Sequence, residues 1–451
     1  MEDGRPRPSR YNVGAGVLCL CRAQQLNQIT KIADLVKQTA HEAGFELAGI
    51  APVRDFAELN YFPDWIAAGH AGEMKYMESR DEAGQLKRAS LRSAAPWARS
   101  VIVCAINYNT AHPYSTQVND PQQGWISRYA WSREDYHEAV MRRLRVVENS
   151  LRKAFGQPSQ DEAASQSYDR KSGLDLEKQP HSGARMQPTA PAVGSKQETA
   201  KPQRGERQIA TRAQDAMATG NGRPPLQTRC YVDTGPLVER VHAKYAGVGW
   251  IGKNTCILNQ KLGSWLFLGV ILTSVELEPD LPAPDRCGSC TRCIVACPTD
   301  ALIAPYQLDS NKCISYLTIE KRGAIPEDMR DGVGRHVFGC DICQDVCPWN
   351  RKAPATSAAE FQPREGLVNP ALEWLAEMSA EEFRETFRGS PIRRTKRTGL
   401  RRNAAVAMGN SGDPSFILVL EKLATDDDPV LAASARWSLE QLSTPAAPKP
   451  E

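Results

Sequence analysis

The sequence predicts an α/β domain, a small cysteine-rich domain and a C-terminal α-helical region. Three observations support this division. In the first part, amphipathic helix patterns alternate with β-branched strand patterns, which is typical of α/β layer structures. Eight of the 13 cysteines fall between Cys287 and Cys347, and the sequence after Pro348 has helical periodicity. With 451 residues, the chain is long enough for about two to four domains.

The composition excludes several classes of protein. Hydrophobic residues make up 41% of the chain and charged residues 24%, as in ordinary globular proteins. The longest strongly apolar run, Trp265 to Leu272, is far shorter than the ~18 residues of a membrane-spanning helix, so no membrane association is expected. The net charge of +3 is too close to balance to indicate a partner, and only local clusters can do so.

Periodicity predicts the helices and strands of the α/β domain, which we assign to residues 26–155 and 229–280. Apolar residues at three- and four-residue spacing indicate helices, and short β-branched runs indicate buried strands. The predicted helices begin at about Leu26 and at Tyr136, the latter extending to Leu151. The predicted strands are Leu47–Ile50, Ser100–Ile106, Cys230–Val232 and Trp265–Leu272.

Two further segments do not fit a packed core. Residues 156–228 are rich in Gln, Ser, Ala, Pro, Gly and charge, and Tyr168 is their only aromatic residue. Such a segment cannot bury enough apolar surface to offset its ordering entropy, so a disordered insertion is expected. Residues 1–25 have a weak apolar patch but acidic residues near the start, which argues against a signal peptide. A disordered extension or a start assigned too far upstream is expected there.

Two cysteine arrays predict a ferredoxin-like domain at residues 281–350. The first, Cys287-x-x-Cys290-x-x-Cys293-x-x-x-Cys297-Pro298, has the bacterial ferredoxin spacing for 4Fe–4S clusters. The second, Cys340-x-x-Cys343-x-x-x-Cys347-Pro348, lacks one cysteine, which Cys313 can supply. In that pattern, the cysteine before proline binds the other cluster. The predicted ligands are Cys287, Cys290, Cys293 and Cys347 for cluster one, and Cys297, Cys313, Cys340 and Cys343 for cluster two.

An alternative interpretation of the arrays is a pair of structural zinc sites, because zinc also binds Cys-x-x-Cys pairs. The remaining cysteines are scattered. Cys104, Cys230 and Cys256 are expected to be small buried hydrophobic residues.

The C-terminal region, residues 351–445, contains two sequence signals for the start of a helix. Asp413-Pro414 and Asp428-Pro429 each place Asp at an N-cap and Pro at the first helical position. Two short helices at this spacing are similar to a HEAT-type repeat, although a generic helical cap fits the pattern nearly as well.

Several segments together resemble the epoxyqueuosine reductase family. They are RYAWSREDYH (128–137), YVDTGPLVERVHAKYAGVGWIGKNT (231–255), CGSCTRCIVACPTDAL, CISYLTIEKRG, GCDICQDVCPWN and RRNAAVAMGN. The resemblance implies reduction of epoxyqueuosine to queuosine at the wobble position of tRNA, the last step of queuosine biosynthesis. It also implies that electrons pass through two 4Fe–4S clusters to a cobalamin in the α/β domain, and that the protein is cytoplasmic.

The resemblance also assigns site residues. Asp233, in VDTGP, matches the family's proton donor, and an acid suits a step that releases a basic alkoxide. Without the family, an Asp that caps the turn Asp-Thr-Gly-Pro would be the simpler interpretation. The positions that match cobalamin contacts are Arg88, Asp233, Ile257, Leu268 and Ser315.

Two residues and one segment near these motifs also bear on the cobalamin site. Asp135-Tyr-His137 begins an Asp-x-His-x-x-Gly cobalamin motif, but position 140 is Val and not Gly, so His137 is not expected to bind cobalt. Ser127 lies close to a position where some relatives have a cysteine, which puts a role for that position in doubt. The segment Gly247–Asn254 (GVGWIGKN) lacks the Gly-Lys-Ser/Thr ending of a P-loop and is expected to flank the cobalamin pocket.

A basic cluster in the C-terminal region predicts contacts with tRNA phosphates. Its members are Arg393, Arg394, Lys396, Arg397, Arg401 and Arg402. The alternative is a solvated helix face. The implied partners are tRNA carrying epoxyqueuosine, with a GUN anticodon, and a low-potential electron donor such as flavodoxin or ferredoxin. A monomer is expected.

Two competing hypotheses remain from the sequence alone. A reductive dehalogenase would share cobalamin and two clusters, but the basic helical region would then have no role. A simple iron–sulfur electron carrier would leave the α/β domain and the Asp233 segment unexplained.

Overall fold

The computed structural model describes residues 30–158 and 225–443. The strands are β1 (Leu47–Pro52), β2 (Ser100–Asn107), β3 (Trp125–Ile126), β4 (Thr228–Tyr231), β5 (Trp250–Ile251), β6 (Ile257–Leu258), β7 (Leu266–Thr273) and β8 (His336–Phe338). The α-helices are 30–42, Tyr61–Ala67, Leu91–Ala94, Tyr136–Ala154, Glu239–Tyr245, Arg292–Val295, Ile314–Ile319, Glu327–Val333, Ile342–Asp345, Leu372–Glu377, Ala380–Thr386, Lys396–Ser411, Ile417–Leu423 and Pro429–Ser443. The predicted extension 1–25 and most of the predicted insertion 156–228 lie outside the described residues.

The part before the cysteine arrays is built around a four-stranded antiparallel sheet. The strand order is β1-β2-β7-β4, and Val103 of β2 lies opposite Val270 of β7. Every residue of β2 is buried, because helices cover both faces of the sheet. This burial explains why β2 has an almost continuous run of apolar residues rather than an alternating pattern. The sheet joins two strands from before residue 158 to two from after residue 225.

The helix Tyr136–Ala154 covers one face of the sheet, and the helix Glu239–Tyr245 covers the other. The predicted helix from Tyr136 is confirmed and ends three residues later than expected. Gly269 of β7 permits close packing, since a Cβ there would lie 2.8 Å from the Leu144 side chain. The fully buried apolar residues of the longer helix are Ala139, Val140, Leu144, Val147 and Leu151.

The cysteine region is fixed to the segment that leads into the helix Tyr136–Ala154. Strand β8 pairs in parallel with β3. Next to it, Asp341 accepts a hydrogen bond from the Ser127 hydroxyl at 2.5 Å and one from the Arg128 backbone amide at 2.6 Å. Ser127 is buried by this contact. The second cysteine array is therefore held directly against the α/β part of the chain.

The helix Lys396–Ser411 is the centre of the C-terminal region. It packs against Leu372–Glu377, Pro429–Ser443 and β8, and its residues from Gly399 to Gly409 are all buried. The two predicted N-caps are confirmed: Asp413 accepts from the Ser415 amide at 2.9 Å, and Asp428 accepts from the Val430 amide at 2.9 Å. The HEAT-type assignment stays a prediction. In the part of the chain that the structure describes, no helix combines the length and hydrophobicity needed to cross a bilayer.

Candidate iron–sulfur centre and active site

Four cysteines line one cavity in the cysteine region. The cavity has a volume of about 250 Å³. Three of its cysteines belong to the first array and one to the second: Cys287, Cys290, Cys293 and Cys347. This is the set that the sequence predicts for cluster one.

The other four cysteines also lie close to one another. Burial, and then the nearby sulfurs of Cys313 and Cys297, raise the pKa of Cys340. A hydrogen bond with Cys256, burial, and the sulfurs of Cys340 and Cys313 raise the pKa of Cys343. The sulfurs that interact in this way include all four that the sequence predicts for cluster two.

The crossing of the arrays has a local cause. Each array places a short helix before its Cys-Pro step: Arg292–Val295 precedes Cys297, and Ile342–Asp345 precedes Cys347. The two short helices contact each other. The cysteine after each helix is therefore carried toward the other array, as the ferredoxin pattern requires.

The donor set suits an iron–sulfur cluster. Two groups of four thiols supply only sulfur ligands, which soft metal centres prefer. Burial raises the pKa of Cys347 to about 11, so this thiol would stay protonated at neutral pH unless a metal displaced its proton. Within residues 30–158 and 225–443, no three His, Cys, Asp or Glu side chains converge as they would around a single metal ion.

A ninth cysteine, Cys256, lies beside the second group. Cys104 and Cys230 are buried in the core, as the sequence predicts. Cys256 instead lies within hydrogen-bonding reach of the Cys343 thiol and is close enough to Cys313 and Cys347 to affect their pKa values. Its isolated position in the sequence offers no signal for this placement.

Asp233 lies just beyond the end of β4. Its φ of 57° is in the left-handed region, which non-glycine residues seldom adopt and which often marks functional positions. Its side chain is 51% exposed. The carboxylate accepts a hydrogen bond from the Tyr136 hydroxyl, and its Oδ2 lies 3.9 Å from His137 Nε2. Because the carboxylate faces these two side chains, its contacts differ from those expected for a cap of its own turn.

A set of aromatic and ionisable side chains surrounds Asp233. The Tyr129 and Tyr136 rings meet edge to face at 5.9 Å, and burial raises the pKa of both hydroxyls. Burial, followed by the nearby Asp233 charge, raises the pKa of Glu239 to about 7. Glu239 Oε1 is buried and has no hydrogen-bond partner. The site thus contains polar groups whose hydrogen bonds a bound ligand could complete.

The five positions expected to contact cobalamin lie on different elements. Ile257 of β6 and Leu268 of β7 belong to the same apolar cluster. The charges of Arg88 and Asp233 both act on Glu239, so each of these side chains lies on the Glu239 side of the domain. Ser315 follows the cysteine Cys313 in the helix Ile314–Ile319.

A large cavity of about 650 Å³ lies beside this set. Its wall comes from the helices Tyr61–Ala67 and Glu239–Tyr245, from the β5–β6 hairpin, and from the segment 305–308. Its aromatic and apolar lining includes Trp65, Met77, Trp250, Ile251 and Tyr306. None of the five expected cobalamin contacts lines this cavity. Two of its lining residues are nevertheless close to them: Arg240 follows Glu239 in the chain, and Ile251 pairs with Ile257 across the hairpin. Sequence periodicity had not indicated this cavity.

The segment Gly247–Asn254 forms a turn and the first strand of the β5–β6 hairpin. Gly247 has a φ of 71°, which favours glycine. Trp250 and Ile251 face the large cavity, whereas Lys253 Nζ donates to the carbonyls of Gly288 at 2.6 Å and Cys290 at 3.0 Å. The segment therefore connects the large cavity to the loop of the first cysteine array.

The structure divides the predicted basic cluster. Arg393 and Lys396 are exposed. Arg394 forms an ion pair with Glu320, and its Nη2 donates to the Tyr76 hydroxyl at 3.1 Å. Arg397 is half-buried, and its Nε donates to a backbone carbonyl, that of Met378, at 2.7 Å.

Arg401 and Arg402 do not belong to an exposed surface, which corrects the sequence prediction. Arg402 is 1% exposed and donates to the carbonyls of Leu317, Lys321 and Gly323. Arg401 donates to the Ala376 carbonyl at 2.6 Å and pairs with an aspartate. Both guanidinium groups are used in packing, because their helix is surrounded on all sides. The alternative of a solvated helix face is wrong for these two residues for the same reason.

Two four-cysteine groups beside an α/β sheet that carries a half-exposed carboxylate define an iron–sulfur oxidoreductase. The family description "4Fe-4S double cluster binding domain" matches residues 286–350, which favours clusters over zinc. The description "Epoxyqueuosine reductase QueG, DUF1730" matches residues 88–164.

Similar proteins extend this match over most of the chain. An epoxyqueuosine reductase of Synechocystis is 38% identical over 79% of this chain and 98% of its own length. An epoxyqueuosine reductase of Escherichia coli is 32% identical over 92% of this chain and 90% of its own length. A crystal structure of an epoxyqueuosine reductase with an epoxyqueuosine-modified tRNA-Tyr stem loop is 26% identical, with a TM-score of 0.67 over 92% of this chain and 91% of that chain. The chain belongs to the epoxyqueuosine reductase family.

Proposed function

We propose that this protein reduces epoxyqueuosine to queuosine at the wobble position of tRNA. The observation that carries the proposal is that one chain of this family holds two cluster sites and a half-exposed carboxylate, Asp233, on the adjoining sheet. An electron-transfer protein alone would not need that carboxylate. A reductive dehalogenase is not favoured, because the curated relatives are named epoxyqueuosine reductases.

The cofactors in this proposal are two 4Fe–4S clusters and one cobalamin. The eight cysteines of the two groups would hold the clusters. Arg88, Asp233, Ile257, Leu268 and Ser315 would contact the cobalamin, and the unpartnered Glu239 Oε1 supports a polar ligand near them. When bound, these groups supply the low-potential electrons for the reduction.

Asp233 is the proposed proton donor. The oxygen released from the epoxide is strongly basic, so a carboxyl group within reach accelerates its departure. The left-handed backbone at Asp233 directs the carboxylate toward Tyr136 and His137 and away from its own turn. The half-exposed side chain can meet a base that enters from solvent.

The proposed tRNA surface consists of Arg393, Arg394, Lys396 and Arg397. Arg394 links this surface to the active site, because its charge reaches Tyr129, which also interacts with Asp233. A phosphate contact near Arg394 would thus position the anticodon loop beside the carboxylate. The expected substrate is tRNA with a GUN anticodon, whose wobble base is unstacked into the site.

Electrons are proposed to enter at cluster one from flavodoxin or ferredoxin. The cavity of cluster one is lined by Lys253, Arg286 and Arg292, and Val295 beside it is 82% exposed. A cationic rim with an exposed apolar residue suits a transient contact with an acidic carrier. We further propose that the protein acts as a monomer in the cytoplasm, where its tRNA substrate is found.

The domain division of the sequence is also a proposal. Strands β1 and β2, from before residue 158, share one sheet with β4 and β7, from after residue 225. This arrangement supports a single cobalamin domain made of residues 26–155 and 229–280, with an insertion at 156–228. The ferredoxin-like domain would be 281–350, and the tRNA-binding helical region 351–445.

The decisive experiment is nucleoside analysis of tRNA from cells that lack this protein. Accumulated epoxyqueuosine, replaced by queuosine when the wild-type gene is restored, is the expected result. A normal queuosine content in the deletion strain would contradict the proposal. The purified protein, reconstituted without oxygen, should then convert epoxyqueuosine tRNA when supplied with a reductant.

A further inference from the structure

Asp135, His137 and Asp233 lie in a row at the start of the helix Tyr136–Ala154. Asp135 is the N-cap of this helix: its Oδ1 accepts from the His137 amide at 3.0 Å and lies 2.8 Å from the ring Nδ1. On the other side of the ring, Nε2 lies 3.9 Å from Asp233 Oδ2. One imidazole therefore stands between two carboxylates from distant parts of the sequence.

The contact with Asp135 determines which ring nitrogen can exchange a proton. Burial alone would raise the pKa of Asp135, but hydrogen bonds from His137 lower it. Asp135 is thus an ionised acceptor, and Nδ1 carries a hydrogen. Nε2 is left facing Asp233. The imidazole is 30% exposed, so solvent can restore a proton to it.

Tyr136 fixes the arrangement from a third side. Its ring stacks on His137 at 4.1 Å and on Phe267 at 4.4 Å. Its hydroxyl donates to Asp233 Oδ2. These contacts hold the imidazole and the Asp233 carboxylate next to each other.

The reaction needs more protons than Asp233 can hold. Converting an epoxide to an alkene consumes two electrons and two protons and releases one water. A carboxyl group carries one proton at a time. A second proton must reach the site in each turnover. A neighbouring side chain that takes a proton from solvent and then gives it to Asp233 can supply it.

We propose that His137 is the positioning residue that reloads Asp233 with protons, and that Asp135 holds its ring for this task. The inference rests on the proposed function. After Asp233 gives its proton to the departing oxygen, the Nε2–H bond breaks and an O–H bond forms at Asp233 Oδ2. Water then reprotonates the imidazole, and no electron moves in this step.

Other ionisable groups also face Asp233 and compete for the same role. They are Glu239, Tyr76, Tyr129 and Tyr136. Burial raises the pKa of the three tyrosine hydroxyls. Glu239 is the real competitor, and the experiment includes it.

The test compares reconstituted His137→Gln, Asp135→Asn and Glu239→Gln enzymes with the wild type on epoxyqueuosine tRNA. His137→Gln should lower kcat by about 10²-fold, with KM for tRNA and iron content unchanged. Added imidazole should restore part of the rate. The matched control is His41→Gln, which should keep the wild-type rate. The His41 ring also has a hydrogen-bond contact, with the Phe45 carbonyl at 3.0 Å.

A second measurement does not depend on turnover. Hydrogen exchange at the His137 ring C2, followed by mass spectrometry, reports the surroundings and solvent access of this imidazole. Asp135→Asn should change the exchange rate, because the ring loses the carboxylate that lies 2.8 Å from Nδ1. An unchanged exchange rate in Asp135→Asn, or a wild-type rate of reduction in His137→Gln, would overturn the inference. If His137→Gln kept the rate and Glu239→Gln lost it, the role would belong to Glu239. A wild-type enzyme that cannot reduce epoxyqueuosine tRNA would instead refute the proposed function.

Discussion

Cys347 lies in the wall of the same cavity as Cys287, although the two cysteines belong to different arrays. The cavity therefore joins segments that are far apart in the sequence. A cluster bound there would hold the two arrays together, and its loss should loosen the whole cysteine region.

Replacing one crossing cysteine should remove one cluster and leave the other. In Cys347→Ser, cluster one loses a ligand, so about four of the eight irons should be lost. Cys343→Ser is the matched variant and should remove cluster two. Electron paramagnetic resonance of the reduced proteins distinguishes the two outcomes. If Cys347→Ser and Cys343→Ser lost the same signal, the crossed assignment would be wrong.

Asp233→Asn should abolish most of the activity without changing the fold. Asn tolerates the left-handed backbone at this position, so the variant removes the acid and keeps the conformation. We expect kcat to fall by about 10²–10⁴-fold, with normal iron content. The exposed Asp427→Asn serves as the control. Full turnover in Asp233→Asn, measured by nucleoside analysis, is the result that contradicts the assignment.

The exposed members of the basic cluster should bind phosphate. Removing Arg393 and Lys396 together should weaken tRNA binding and reduce the slope of log affinity against log salt by roughly 0.7–0.9 per cation. Binding titrations at several salt concentrations measure both effects. An unchanged slope would show that these two side chains do not contact the tRNA backbone.

Arg402→Ala should affect stability, because this side chain is buried in the fold. Its guanidinium donates to three backbone carbonyls that would be left without a partner. A loss on the order of 3 kcal/mol in the free energy of unfolding is expected. Urea denaturation measures it, and Arg393→Ala provides a matched arginine that should change stability little. Similar stability of the two variants would contradict the packing role of Arg402.

Reversing charge at the rim of cluster one should slow reduction by a protein donor. Arg286→Glu with Arg292→Glu should lower the rate with reduced flavodoxin and weaken its salt dependence, because an acidic carrier is no longer attracted. Reduction by a small neutral reductant should be unchanged. Arg388→Glu, an exposed arginine in the C-terminal region, is the control. Equal slowing with both reductants would indicate a damaged cluster site in place of a docking surface.

Much of the fold could be predicted because the signals are local. The helix from Tyr136, the strand from Ser100 and the N-caps at Asp413 and Asp428 follow from periodicity and capping within a few residues. The pairing of β1 and β2 with β4 and β7 could not be predicted. It depends on contacts between residues separated by the whole insertion.

The active site was only partly visible in the sequence. The VDTGP motif identified Asp233, but the Tyr136 hydroxyl that donates to it comes from a distant segment and carried no separate signal. The same limit applies to Arg401 and Arg402. Their spacing indicates a basic surface, and the opposite result comes from helices that pack around them.

The order and spacing of the cysteines were enough by themselves to indicate two clusters, because cluster ligation depends on short-range geometry around each Cys-x-x-Cys step. The tertiary structure decided which charged side chains are exposed and which partners surround Asp233. Burial and the electrostatic environment of a side chain are set by neighbours from the entire chain, and no local pattern contains them.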